Sequence, residues 1–418
     1  MHIVFVTVEL ATANNSSGGL ASFTANMGRI FAANGHKVTI LVVTTKEENL
    51  VIDNNIEVRS IYVKKTLWNL FDQVSKICTF DNQDKAKDWR MVLLNIYKSL
   101  QTKSEIRKIN RKEKIDVIHY CNLNALALFA GKSIPYVIRI SHWMHVFREA
   151  CLPETHIQYA DAKLSVSDRL LNCALRKSQY VIAPSNWAAD IGKQKFGIKI
   201  TVIESPFVLN KSSWDDSLYD SLIGEKRYII HYGSLKYFKG THVVGQLANE
   251  LLRIYPDVYL LLAGNNEDLL DKDGEKIKAA EYVKKGAGEF ADRVIYAGRL
   301  VREQLYPLIE NAELCLLPYR MDNLSNACIE AMAMGKIVIG TDGATFEQLI
   351  EDRVSGFLCE RDNPASYMQA IREAMAMSDE EKETMIAKAK ERIKLLSPDV
   401  IYKKYYDYYQ KVIKEWKK

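Results

Sequence analysis

The stretch Pro318–Thr341, PYRMDNLSNACIEAMAMGKIVIGT, predicts a polar turn, a short helix and a strand in that order. It follows the compact apolar run Leu314–Leu317, which has the length and composition of a buried strand. Most residues of Asp322–Asn326 carry short oxygen-bearing side chains suited to turns and to the free amides of a helix start. Gly335 predicts the helix end, and Ile337–Ile339 begins the next strand. This order is typical of an α/β sheet, whose ligands bind where the strands end.

Glu330 is the anomaly of this stretch, because the helix around it is apolar on every side and therefore predicted to be buried. A buried carboxylate without a partner is too costly to persist. Two explanations are open: an internal ion pair with a nearby Lys or Arg, or the hydroxyl pair of a ligand. In the second explanation, the ligand would lie beside a helix N-terminus that could hold a phosphate.

The composition indicates a soluble globular protein of two domains. The chain has 418 residues, 48% of them hydrophobic and 26% charged, and a formal net charge of +5. That charge is too small to indicate nucleic-acid binding. The first residues, MHIVFVTVEL, lack the basic region of a signal peptide, and the histidines and cysteines show no metal-ligand spacing. We expect no metal, a reducing compartment and a cytoplasmic location.

Alternating strand-like and helical segments predict two parallel, doubly wound sheets with a cleft between the domains. Residues 1–207 form the first predicted domain, and it includes a helix over Ala160–Arg176. The polar stretch 208–225 interrupts the rhythm and is the predicted linker. The second domain is predicted over residues 226–395. Residues 396–418 should form an amphipathic helix that packs back on the first domain, with membrane contact as an alternative.

Two loops at predicted strand ends are candidate ligand sites. Asn14–Gly19 precedes a helix and can turn backbone amides towards an anion or a sugar, although a plain tight turn explains it equally well. It is not a GxGxxG loop, and no acidic residue ends the second strand, which argues against a nicotinamide dinucleotide. His231–Gly240 follows the first strand of the second domain. Within it, Lys239 is a candidate phosphate ligand, with an ordinary surface lysine as the alternative.

Taken together, these features resemble the retaining glycosyltransferases of the GT-B fold, family 4, over nearly the whole chain and most strongly over Tyr228–Cys359. The matching segments are Gly18-Gly19, Asp116-Val117-Ile118-His119, His142, Val181-Ile182-Ala183-Pro184-Ser185, Lys239-Gly240 and Glu330-Ala331-Met332-Ala333 with Gly335. The implied fold is two Rossmann-like domains that face a central cleft.

The resemblance also implies roles for individual residues. Glu330 would bind the nucleotide ribose, Lys239 the donor phosphates, and His142 would line the donor sugar; these three are the implied catalytic residues. The implied donor-binding set is Gly18, Gly19, Gly233, Ser234, Lys239, Asp322, Leu324, Ser325, Asn326 and Glu330.

Two departures from the family pattern concern the donor site. The family usually has Gly-Arg-Leu where this chain has Gly233-Ser234-Leu235, so one phosphate-binding arginine is missing. It usually has Glu-Gly-Phe-Gly where this chain has Asp322–Ser325. A non-catalytic GT-B homologue that acts as a binding or partner subunit is therefore the alternative to an enzyme.

The resemblance implies transfer of a sugar from a nucleoside-diphosphate sugar, with UDP as the expected carrier, to a glycan, a lipid-linked molecule or a small molecule. Bacterial cell-surface polysaccharide or glycoconjugate synthesis is the expected context. No cofactor or nucleic acid is expected. The segment Trp68–Trp89 is the expected neighbourhood of the acceptor. The basic stretches 101–114 and 401–418 each carry six basic and two acidic residues, which suits the inner face of a membrane as well as plain solvated helices.

Overall fold

A computed structural model describes residues 1–12, 18–44, 52, 55–79, 82–151, 164–209, 211–271 and 273–416. The chain divides into two compact units. The first consists of residues 1–148, 157–206 and 397–418, and the second of residues 149–156 and 207–396. Within the described ranges, no helix combines the length and apolar character needed to cross a membrane.

The first unit is built on seven parallel strands, counted over the described residues, in the order β3-β2-β1-β4-β5-β6-β7. Its elements are β1 (His2–Thr7), α1 (Gly19–Ala33), β2 (Lys37–Thr44), β3 (Ile56–Tyr62), α2 (Lys65–Cys78), α3 (Gln83–Lys112), β4 (Val117–Cys121), β5 (Tyr136–Arg139), α4 (Met144–Ala150), α5 (Val166–Lys177), β6 (Val181–Ala183), α6 (Asn186–Phe196) and β7 (Ile200–Val202). The central strands β1 and β4 are buried along their whole length, as strands covered by helices on both faces must be.

The second unit contains six parallel strands, again within the described ranges, in the order β12-β9-β8-β13-β14-β15. Its elements are α7 (Ser217–Leu222), β8 (Arg227–Tyr232), α8 (Thr241–Ile254), β9 (Val258–Ala263), β10 (Asp268–Leu270), β11 (Lys276–Lys278), α9 (Ala279–Ala287), β12 (Val294–Tyr296), α10 (Arg302–Glu310), β13 (Leu314–Leu317), α11 (Asn326–Ala333), β14 (Val338–Thr341), β15 (Phe357–Cys359), α12 (Pro364–Ala376) and α13 (Asp379–Lys394). Strands β8 and β13 are adjacent at the centre of the sheet, so the loops that follow them meet at one edge.

The last helix, α14 (Pro398–Trp416), belongs to the first unit although it ends the chain. Its inward face is fully buried, with Tyr405 and Tyr409 among the residues of 0% exposure. The hydroxyl of Tyr409 lies 2.6 Å from Nδ1 of His119 in β4. His119, part of the Asp116–His119 segment singled out in the sequence, is therefore a core residue.

The two-sheet α/β fold predicted from the sequence is confirmed, and the differences are local. The stretch 208–225, predicted as a linker, lies in the second unit and includes α7. The hairpin of β10 and β11 was not predicted. The helix expected over Ala160–Arg176 begins at Val166, because Ser165 caps it in a reciprocal capping box with Asp168, and residues 160–163 lie outside the described part of the chain.

Candidate active site

Glu330 lies in α11, which begins where Ser325 accepts a hydrogen bond from the amide of Cys328. Only 7% of Glu330 is exposed. The hydroxyl of Tyr306 donates to its Oε1 at 3.2 Å, and Nε of Arg302 lies 3.7 Å from the same oxygen. Burial raises the pKa of Glu330, against the opposing effects of Arg302 and Tyr306. Of the two explanations for a buried Glu330, the internal ion pair is therefore present in part, through Arg302. Within the described residues, both contacts are made to Oε1, and Oε2 has no hydrogen-bond partner.

Lys239 ends a 3₁₀ turn, Tyr237–Lys239, between β8 and α8. Its Nζ donates to Oδ2 of Asp322 at 2.8 Å, and both side chains are largely shielded from solvent. The same ammonium group lies 3.8 Å from the centroid of the Tyr319 ring. A cation over an aromatic face that is also paired with a carboxylate is held in one place. The alternative of an ordinary, freely solvated surface lysine therefore does not describe Lys239.

Two glycines allow the loop after β8, which carries Lys239, to approach the segment that follows β13 closely. Gly240 has φ +72°, and a Cβ there would lie 1.8 Å from the carbonyl oxygen of Pro318. Gly233 has φ +113°, and a Cβ there would lie 2.9 Å from the hydroxyl of Tyr319. In both cases the loop after β8 contacts the segment that follows β13. Glycine is required at both positions because any side chain would separate the two segments.

A buried network behind Lys239 fixes the same turn. Arg320 is 2% exposed, and its guanidinium pairs with Asp362 at 2.8 Å. Asp362 also lies 2.9 Å from Nε2 of His242, and His242 stacks on Tyr237 at 4.0 Å. The amide of Arg320 donates to the carbonyl of Phe238 at 2.9 Å. The turn that carries Lys239 is therefore held by both backbone and side-chain contacts.

Tyrosines connect Lys239 to the helix of Glu330. Tyr319, beneath the ammonium group of Lys239, donates to the carbonyl of Tyr232 at 2.7 Å. The Tyr232 hydroxyl in turn donates to the carbonyl of Ala327 in α11. The structure thus brings together, at the ends of β8 and β13, all eight donor-binding residues predicted for the second domain: Gly233, Ser234, Lys239, Asp322, Leu324, Ser325, Asn326 and Glu330.

His142, in the first unit, follows β5 and is positioned by Asn122. The side-chain amide of Asn122 donates to the carbonyl of His142 at 3.0 Å, and its Oδ1 accepts from the amide of Ser141 at 2.8 Å. The imidazole Nε2 lies 2.7 Å from Sδ of Met144. This residue is therefore held at the carboxyl end of the first sheet, where ligands of such sheets bind.

Gly18 and Gly19 begin α1, and the predicted loop residues Asn14–Ser17 lie outside the described residues. The amide of Ala21 donates to the carboxylate of Glu9, whose pKa is raised by burial and lowered by this hydrogen bond, with burial the stronger. An ionised Glu9 would repel a diphosphate at the start of α1. Among the described residues, a Cβ on Gly18 would approach no atom closer than 3.7 Å, so their geometry does not require glycine at that position.

Several residues of the site were missed from the sequence. Arg302 and Tyr306 contact Glu330 from α10, and Tyr319, Arg320 and Asp362 hold the Lys239 turn. Arg320 could have been noticed in the sequence, since an arginine three residues after a buried strand needs a partner if the chain keeps it inside. The other contacts join distant parts of the sequence and leave no local pattern.

Comparison with known proteins agrees with this architecture. Residues 17–210 match the family model described as Glycosyltransferase Family 4, and residues 219–392 match the model described as Glycosyl transferases group 1. An uncharacterized glycosyltransferase of Haemophilus influenzae is 25% identical over 194 residues. That match covers 46% of this chain and 48% of the length of the relative, so the chain spans about half of the relative that it matches.

Solved structures share the fold at low sequence identity. Sucrose-phosphate synthase from Thermosynechococcus elongatus has a TM-score of 0.69 at 15% identity, with 99% of each chain covered. Anabaena HepE in complex with UDP has a TM-score of 0.64 at 17% identity, with 98% of this chain and 100% of that chain covered. The E. coli trehalose-6-phosphate protein bound with UDP-2-fluoro glucose has a TM-score of 0.68 at 13% identity, over 98% and 99% of the two chains. Both matched models describe glycosyltransferases, and together with the shared fold they support a GT-B glycosyltransferase.

Proposed function

We propose that this protein is a retaining, metal-independent glycosyltransferase that uses a nucleoside-diphosphate sugar, with UDP as the carrier. The observation that carries the proposal is the arrangement at the ends of β8 and β13. A shielded lysine, a buried carboxylate with one unengaged oxygen and a capped helix start lie together there. These are the groups that a diphosphate and a ribose require.

In the proposed complex, Glu330 accepts hydrogen bonds from the ribose hydroxyls. Its Oε1 is already engaged by Tyr306, so Oε2 is the oxygen that a ribose hydroxyl would reach first. The contact would restore the hydrogen bonding that burial has removed from the carboxylate. Tyr306 and Arg302 would fix the orientation of the carboxylate and keep it ionised.

Lys239 would stabilise the charge that grows on the leaving diphosphate. An ammonium group already held in place supplies this stabilisation without reorganisation during the reaction. Asp322 orients Lys239 in the free protein and would share it with the diphosphate. The amides of Ser325 and Asn326, at the start of α11, would contribute the partial positive charge of a helix N-terminus.

The bond changes are those of a same-face substitution. The acceptor hydroxyl oxygen forms a bond to the anomeric carbon while the bond from that carbon to the diphosphate oxygen breaks. The hydroxyl proton passes to the departing diphosphate. We assign His142 to the lining of the donor sugar and Gly18 and Gly19 to the approach of the acceptor. No cofactor enters this scheme.

The expected setting is synthesis of a bacterial cell-surface polysaccharide or glycoconjugate, in the cytoplasm or at the inner membrane face. UDP is supported by similar folds, since Anabaena HepE is in complex with UDP and the E. coli protein is bound with UDP-2-fluoro glucose.

A non-catalytic binding subunit is the second candidate, and the Lys239–Asp322 pair favours it. A lysine that is neutralised by its own protein can serve a structural purpose alone. Ser234 also stands where an arginine is usual in the resembled family.

A screen of sugar nucleotides separates the candidates. The purified protein is incubated with UDP-, GDP- and ADP-sugars, and release of the nucleoside diphosphate is measured. We expect release from at least one UDP-sugar, and proton NMR of the product should show retained anomeric configuration. Saturable nucleotide binding without release from any donor would favour the binding subunit, and an inverted product would contradict the retaining mechanism.

A further inference from the structure

The first unit contains a cavity of about 760 Å³ that the sequence did not predict. It is lined by α3, by the segments that follow β4 and β5, and by the start of α5. His142 is one of its lining residues. The cavity is therefore located at the carboxyl ends of central strands, and its volume suits a small organic ligand.

Its inner surface is mainly apolar. Met91, Leu123, Met144 and Leu171 line it from four different elements, and each is only half-buried. Apolar side chains that keep part of their surface accessible in a concave site gain free energy when an apolar ligand covers them.

The charged lining residues are balanced in sign, and three of the six are engaged by other groups of the protein. The described lining has three cationic and three acidic side chains. Asp88 accepts from the amides of Val166 and Ser167, at 2.6 and 3.1 Å. Asp168 pairs with Arg148. The N-terminus of α5, which could otherwise attract a phosphate, is thus already occupied by acidic side chains of the protein.

One buried polar atom in the lining lacks a partner. Asn95 is 2% exposed, and its Oδ1 has no hydrogen-bond partner within the described residues. A buried amide oxygen without a donor is costly, and a ligand hydroxyl would satisfy it. Asn124, another lining residue, has left-handed backbone angles (φ 54°, ψ 20°), a conformation that asparagine tolerates and that is common at ligand sites.

We propose that this cavity binds the acceptor, and that the acceptor is an uncharged amphiphilic alcohol such as a lipid-like or aryl glycoside. Its apolar part covers Met91, Leu123 and Leu171, and a hydroxyl donates to Oδ1 of Asn95. A sugar phosphate is disfavoured because the described lining residues carry no net formal charge and the N-terminus of α5 is capped. The assignment as acceptor rests on the function proposed above, whereas binding to the cavity does not.

Binding is tested without donor, by titrating the whole protein with n-octyl glucoside below its micelle threshold, with glucose and with glucose 6-phosphate. We expect saturable binding of the octyl glucoside, and affinity at least about tenfold weaker for both other probes, equivalent to about 1.4 kcal/mol. Equal or tighter binding of glucose 6-phosphate would overturn the proposal, as would the absence of saturable octyl glucoside binding.

Paired variants locate the binding. Leu171→Asp should weaken octyl glucoside binding at least about tenfold, because it sets a charge against the alkyl chain. Leu70→Asp is the matched control, since Leu70 is 50% exposed on α2 and does not line the cavity. Asn95→Leu should weaken the binding of octyl glucoside, because the ligand hydroxyl loses its acceptor. Octane-1-sulfonate, which pairs an alkyl chain with an anionic group, should bind weakly to this variant as it does to the wild-type protein. Equal losses in Leu171→Asp and Leu70→Asp would reduce the binding to nonspecific adsorption and contradict the proposal.

The donor screen keeps the two proposals separate. If octyl glucoside binds as expected but no UDP-sugar is cleaved, the proposed function fails and the cavity stands as a binding site. If a UDP-sugar is cleaved but octyl glucoside neither binds nor accelerates the cleavage, the cavity proposal fails and the function stands. If both hold, octyl glucoside should appear as a glycosylated product.

Discussion

Glu330 is a buried carboxylate whose hydrogen bonding the protein satisfies only in part. Tyr306 donates to its Oε1, and Arg302 lies near enough for attraction, at 3.7 Å. Burial nevertheless raises its pKa, so these two partners do not fully replace the lost water. A buried carboxylate whose partners only partly replace water is stabilised by further hydrogen-bond donors, and the hydroxyls of a ribose are such donors.

We expect Glu330→Ala to lower turnover at least about tenfold and Glu330→Gln to lower it less, because glutamine keeps an acceptor for one hydroxyl. Initial rates at saturating UDP-sugar give the comparison, and circular dichroism checks the fold. Glu303→Ala, an exposed glutamate on the neighbouring helix α10, is the control. Near-normal rates in both Glu330 variants would remove this residue from the site.

Lys239 is a cation that the protein itself holds in place, through Asp322 and the ring of Tyr319. Lys239→Ala should lower turnover at least about tenfold, because the charge on the leaving diphosphate loses its partner. Lys236→Ala, which removes a lysine from the same loop, should change the rate less than about threefold. A loss of equal size in both variants would mean that only the general positive potential of the loop matters.

At the scale of single residues, the sequence predicted a buried Glu330 because its neighbours in the chain are apolar. It could not predict Tyr306, since that contact spans 24 residues between two helices. The position of Lys239 beside Asp322 is likewise a tertiary contact across 83 residues. Burial follows from local pattern, whereas partners depend on how the elements meet.

Among the elements, the loop after β8 depends on its contact with the end of β13. Gly240→Ala should destabilise the protein by more than about 2 kcal/mol, since positive φ and a Cβ only 1.8 Å from Pro318 add together. Gly274→Ala is the matched control: its φ is +79°, and no atom of the described residues lies within 4 Å of the Cβ position. It should show the conformational strain alone, about 1 kcal/mol. Urea denaturation measures the stability of both variants. Equal losses of stability would show that the close contact with Pro318 does not add to the effect of Gly240→Ala.

Element prediction succeeded where burial was strong and failed where it was weak. Leu314–Leu317 was predicted with its observed bounds, because it is a continuous apolar run. Helix α7 was taken as a linker because none of its residues is buried, so no apolar periodicity marks it. Strands β10 and β11 have three residues each and many charges, and they form only through their pairing with one another.

In the whole molecule, buried histidines make stability depend on pH. His231 is 0% exposed, and burial lowers its pKa to about 4. The unfolded chain, with a histidine pKa of about 6.5, binds protons that the native state does not, so stability falls as pH drops from about 6.5 towards 4. His231 alone should contribute a loss of about 2 kcal/mol between pH 7 and pH 5. Urea denaturation measures the free energy of unfolding at both pH values. Its decrease from pH 7 to pH 5 should be about 2 kcal/mol smaller in His231→Gln than in the wild-type protein. An equal decrease in both would contradict this role of His231.

The overall α/β architecture could be predicted because it depends on the order of strands and helices. The cavity of the first unit was absent from the sequence-based expectations because its walls come from α3, α5 and two loops that are far apart in the chain. Trp68 and Trp89, the expected surroundings of the acceptor, are not among the described residues that line it.

Direct titration of the protein with UDP by calorimetry tests the central claim, that the ends of β8 and β13 form a nucleotide site. The account predicts saturable binding to the wild-type protein, an affinity reduced at least about tenfold in Glu330→Ala, and no change in Glu303→Ala. The absence of saturable UDP binding to the folded wild-type protein, or equal affinity in Glu330→Ala, would contradict it.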